Sequence, residues 1–166
     1  LNSEIKKFWS LALLRGTPSG LAFSYSVLAL TLLIAAAMQW GIWSISESFN
    51  AVYGGVLVVL HVVIRAMPMW AFSKPERTVQ TLTALQGTDI IIYLPLLIVA
   101  LFAQGPSLPA EASIIVQIVY IWRLAVSTFI YHKALELTML KAFGLVIGLT
   151  LINMVLAYLI APLFVT

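Results

Sequence analysis

Three ionisable side chains stand inside otherwise apolar stretches of this chain: His61, Asp89 and Arg123. An ionisable group surrounded by apolar residues is costly unless paired, so each is a functional-site candidate by default. At ~1.5 Å rise per residue, each lies roughly 9–12 Å from the same edge of its helix. Equal depth on three helices permits an Asp89–Arg123 ion pair between antiparallel neighbours, with His61 close by. Such a cluster can lock helices together, carry a proton-linked or regulatory role, or line a substrate path. The blander readings are a capping role for Asp89, which follows Gly87-Thr88, and snorkelling of Arg123 to water.

Other chemistry is sparse. His61 and His132 are on two helices, as axial haem ligands would be, but at different levels, so no haem is expected. Zinc-helix, nucleophile-elbow, phosphate-loop and dinucleotide fingerprints are missing. No second intramembrane carboxylate forms a dyad, and the serines lack a base at useful spacing. With no cysteine, thiolate metal sites are excluded. The sequence therefore predicts no enzyme, no metal and no cofactor. The net charge of +3 is spread between apolar runs instead of forming a patch, so no nucleic-acid partner is expected.

The elements that must position these residues are long helices. The chain is 62% apolar and 9% charged, with a mean hydropathy of +1.06. A water-soluble domain of 166 residues cannot hide that much apolar surface; lipid as the outer solvent removes the contradiction. A spanning helix needs ~20 mostly apolar residues. The sequence predicts one all-α transmembrane domain over residues 1–166, with five spans at about 18–45, 49–67, 74–103, 112–132 and 136–161. Thr17-Pro18 should start the first span, and Trp40 and Trp43 fall at its far interface. Pro68 should end the second, leaving Arg65 one turn from its end and free to snorkel. Ser73 and Glu76 have capping-box spacing before the third, which Pro95 should kink. Gln104-Gly105-Pro106 and Pro109 read as the following turn. Residues 3–15 read as a short interfacial helix with Ile5, Phe8, Trp9 and Ala12 on one face. Leu1 in place of methionine points to a trimmed or unusual start, and a cleaved signal peptide is not expected.

Five spans divide the charges. Lys6, Lys7, Arg15, Arg65, Lys74, Arg77, Lys133 and Lys141 fall on one side, and only Glu47 and Glu111 on the other. The positive-inside rule then places the N-terminus in the cytoplasm and the C-terminus in the periplasm of a bacterial inner membrane. The loop with Lys74, Glu76 and Arg77 is the expected contact surface for a cytoplasmic partner. Gly144 and Gly148 form a small-residue stripe suited to close helix packing, within the bundle or between two copies. Gly54-Gly55 reads as close packing too. Asn153 is expected to hydrogen-bond another helix, and Gln39 and Gln117 to meet near the outer edge.

Leu13-Leu14-Arg15-Gly16-Thr17-Pro18 is similar to the opening of small bacterial Yip1-like membrane proteins. The stretch from Lys74-Pro75-Glu76-Arg77-Thr78-Val79-Gln80-Thr81-Leu82-Thr83-Ala84-Leu85 to Gly87-Thr88 resembles their most characteristic segment. The resemblance implies a five-span helical bundle without known enzymatic activity. The sequence-based expectation is a non-enzymatic scaffold or adaptor whose partners are the lipid bilayer and a second copy or another membrane protein. The alternatives are a small transporter or ion-coupled channel using Asp89 and Arg123, and an accessory subunit of a larger complex.

Overall fold

Nine consecutive residues of one helix, Thr81 to Asp89, are buried on every side, and the rest of the bundle is arranged around them. The structure, a computed structural model, describes residues 2–43, 50–102 and 110–164. Among these residues the regular structure is helical: α1 (Asn2–Ala12), α2 (Tyr25–Trp43), α3 (Ala51–Ala71), α4 (Thr78–Phe102), α5 (Ala110–Leu135) and α6 (Met139–Ile160), with 3-10 turns at Pro18–Gly20, Pro75–Arg77 and Ala161–Leu163. Five of the helices are long and apolar enough to cross a membrane, which is the architecture of an integral membrane protein. The expected outer-loop Glu47 and the turn from Gln104 to Pro109 lie outside the described residues, as do the side chains of Trp43 and Glu111.

α4 is the axis, packed by α1, α2, α3 and α5. Half of its apolar window is buried, against 6% of the α6 window. This explains its composition: a helix facing protein all round can carry Thr81, Thr83, Gln86, Thr88 and Asp89, whereas a lipid-facing one cannot. Thr83 and Thr88 donate their hydroxyls back to the Val79 and Ala84 carbonyls, a local bond that satisfies the group without breaking the helix. The helix passes through Pro95 without interruption.

Several boundaries differ from the sequence reading. The chain after Thr17-Pro18 forms only a 3-10 turn, Thr17 makes no capping bond, and α2 starts at Tyr25. Ser73 takes a left-handed conformation (φ 56°) and Lys74 precedes the 3-10 turn, so the Ser73–Glu76 capping box does not form. Pro68 lies inside α3, which runs on to Ala71, because a proline in the last turn forfeits only one backbone bond.

The N-terminal helix is also placed differently. Its buried stripe is Phe8, Leu11 and Ala12, while Ile5 and Trp9 are exposed. Phe8 packs on Gly87 so closely that a Cβ there would overlap its ring, and the Trp122 indole donates to the Ala12 carbonyl at 2.9 Å. Gly87 is nine residues into α4, roughly 14 Å along its axis. α1 therefore packs Phe8, Leu11 and Ala12 against the bundle and leaves Ile5 and Trp9 exposed.

Candidate functional site

The bundle has one end rich in charge, where Lys74, Arg77 and Glu136 meet, called here the basic end. His61 lies ten residues before the last residue of α3, Asp89 eleven after the start of α4, Arg123 twelve before the end of α5, and Asn153 fourteen after the start of α6. All four are thus roughly 15–21 Å from the basic end, deeper than the sequence reading because α3 and α5 extend further. Their side chains meet.

Asp89, 1% exposed, is the centre. Its Oδ1 accepts from Arg123 Nε at 3.3 Å and its Oδ2 from Arg65 Nη1 at 2.5 Å. The Asp89–Arg123 pair expected from sequence is present, and α4 is unbroken around Asp89, so no helix break is capped there. Arg65 does not snorkel: it is 6% exposed. The extension of α3 past Pro68 places it two turns inside, and the Tyr131 hydroxyl donates to its backbone carbonyl at 2.8 Å. Sequence reasoning missed this third member. The available signal was spacing: His61 and Arg65 are four apart on one helical face, and one carboxylate can hold two guanidinium groups.

Arg123 has two further contacts. Its guanidinium carbon is 5.4 Å from the centroid of the Tyr93 ring, within range of a cation–π interaction. Its Nη2 is 2.8 Å from His61 Nε2. A guanidinium has donors and no acceptor, so Nε2 must accept and the His61 proton is on Nδ1. Nδ1 faces the Asn153 carboxamide, with 3.1 Å to the atom placed as Nδ2. Two donors cannot bond, so the carboxamide turned by half a revolution, presenting its oxygen to Nδ1, completes the network. Arg123 thereby fixes the histidine in its neutral form. Asn153 makes the interhelical contact expected of it, and the partner is His61.

Two cavities, each open at the surface of the bundle, flank this cluster. One, about 310 Å³, lies toward the basic end between α3, α5 and α6 and is lined by Arg65, Ser127, Tyr131 and Val146. The other, about 470 Å³, lies toward the far end and is lined by Gln39, Leu57, Leu96 and Ala157. Both are also lined by His61, Tyr120, Arg123, Thr150 and Asn153. The hydrogen-bonded His61–Arg123–Asn153 group stands between them.

The remaining candidates fall elsewhere. Lys74 Nζ and Arg77 Nη2 bind the two oxygens of Glu136 at 2.7 and 2.8 Å, and Arg77 Nη1 donates to the Ala134 carbonyl. The hydrogen bond from Lys74, then that from Arg77, holds the Glu136 carboxyl below its usual range. The loop is thus clamped to the α5–α6 turn, and Glu76 alone of its three charges stays exposed and outside this clamp. Gly144 and Gly148 have open space where a Cβ would stand, so the expectation of packing within the bundle fails for this stripe; it faces outward because the buried residues of α6, Ala142 and Val146, are on its opposite side. Gln39 is buried on α2 while Gln117 is exposed on α5. Gly55 approaches Trp40, with 3.9 Å from an added Cβ to the indole. His132 Nδ1 donates to the Leu137 carbonyl across the α5–α6 turn. No group of three or more His, Cys, Asp and Glu side chains able to hold a metal occurs among the described residues.

Compared with family models, with curated proteins and with solved structures, the chain finds no match in any of the three.

Proposed function

We propose that this is a small membrane transporter or ion-coupled channel subunit whose solute passes through the centre built from His61, Asp89, Arg123 and Asn153. One observation carries the reading: the cavities on either side share a wall made of hydrogen-bonded polar side chains. A purely structural ion pair needs no polar-lined clefts on both of its sides, and here both clefts reach the bundle surface beside the exposed Tyr120. A divider that opens on one side at a time is what transport through a fixed central site requires. In this proposal the membrane is a bacterial inner membrane, the basic end faces the cytoplasm, and the protein performs no covalent chemistry.

Reconstitution into liposomes tests it. With wild-type protein a solute or proton flux above that of empty vesicles is expected, and Asp89→Asn should abolish or redirect it. No flux with wild-type protein across a panel of small ions, amino acids and sugars would overturn the reading.

The Yip1-like scaffold or adaptor reading rests on the two sequence segments that resemble that family. It is the weaker proposal, because Lys74 and Arg77 are engaged by Glu136 and are not freely presented to a partner.

A further inference from the structure

We infer that the ligand of this centre is a monovalent anion bearing a carboxylate or phosphate group, bound on the free edge of Arg65. The inference rests on the proposal that the centre is a ligand site, and adds which ligand.

Charge is the first argument. Arg65 and Arg123 contribute two positive charges to the cluster and Asp89 one negative charge, while His61 is neutral because Arg123 occupies its accepting nitrogen. One positive charge is left over in the interior. Uncompensated charge at that depth is costly, and a single negative charge in the adjoining cavity balances it.

Donor geometry is the second. Arg123 spends Nε on Asp89 and Nη2 on His61. Arg65 spends only Nη1; its Nε and Nη2 have no protein partner among the described residues, although its side chain is more than nine-tenths buried. Nε and Nη2 are the two parallel donors of the side-on guanidinium fork, which matches two oxygens of a carboxylate or phosphate. Arg65 lines the cavity of about 310 Å³, beside Ser127, Thr150 and Asn153. That volume is at the small end of ligand pockets, so it suits a few-carbon acid or one lipid headgroup.

The test uses the full chain purified in a non-ionic detergent, with thermal unfolding as readout. Butyrate is compared with butyramide, its uncharged counterpart of similar size, at equal ionic strength set with chloride. Butyrate should raise the melting temperature in a saturable way and butyramide should not. Arg65→Gln should weaken butyrate binding by about tenfold or more, the loss expected for a charge-assisted bidentate contact. Arg65→Lys, which keeps the charge and loses the fork, should fall between. A second arm compares nanodiscs of phosphatidylglycerol and phosphatidylcholine. Stabilisation by the former that is lost in Arg65→Gln assigns the anion to a lipid headgroup of net negative charge, and stabilisation by butyrate alone assigns it to a free solute.

Equal effects of butyrate and butyramide, with no preference between the lipids, would overturn the inference even if the variants fail to fold. Dependence on anion that survives in a folded Arg65→Gln would overturn it as well. Anion binding without flux retires the transport reading and leaves this one standing. Flux that does not distinguish butyrate from butyramide does the reverse.

Discussion

At the residue scale, the central fact is that one carboxylate is shared between two guanidinium groups. Removing Asp89 leaves two cations facing each other, so Asp89→Asn should destabilise the protein by about 3–5 kcal/mol, the usual cost of breaking a buried pair. The Arg65→Gln, Asp89→Asn double variant removes the charge conflict together with the pair. It should be less damaging than the sum of the single changes by about 1 kcal/mol or more. Thermal unfolding of the three variants checks this, and additivity would mean the contact contributes nothing. Glu136 presents the opposite case, an exposed carboxylate held by Lys74 and Arg77. Its acidity is increased in the folded state, so its contribution is present above the unfolded pKa and is lost as pH falls through the folded one. Glu136→Gln should therefore lower the melting temperature slightly at neutral pH, and not at strongly acidic pH. High salt should erase the difference, as for any exposed pair; a difference that persists in acid would show another cause.

At the element scale, the interlock of α1 with α4 is the sharpest steric feature. Gly87→Ala places a methyl group in the Phe8 ring and should cost about 1–3 kcal/mol, as overpacking does. Phe8→Ala in the same chain should recover part of it. Gly144→Ala meets open space and should be neutral or stabilising by up to ~1 kcal/mol from helix propensity. If both alanines behave alike in thermal unfolding, α1 is not seated on Gly87. The same elements show what could be read from sequence. Five spans follow from runs of apolar residues, because hydrocarbon admits only helices of sufficient length. The Asp89–Arg123 pair followed from matched depth. Arg65 did not, because a proline three residues later reads as a stop, and the cost of Pro68 in a final turn is small enough for packing around Tyr131 to override. Nor did the seat of α1, since a stripe of Phe8 and Ala12 looks the same whether it meets lipid or protein.

At the scale of the whole molecule, nine basic residues less the buried Arg65 and Arg123 leave seven for the loops and the N-terminal segment. The proposed orientation survives the loss of Arg65 from that count. Fusions of a reporter active only outside the cytoplasm should be silent after Lys74 and active after Thr166, and the reverse pattern would invert the topology. The buried run of α4 also bears on how the protein is made. Threonines, a glutamine and an aspartate make this stretch a poor passenger in hydrocarbon on its own. The ribosome delivers α1, α2 and α3 before it, and Arg65 is on α3. The order of synthesis thus lets Asp89 find its first counter-ion while α5 is still being made, so that the second guanidinium would arrive at a carboxylate already sheltered from acyl chains.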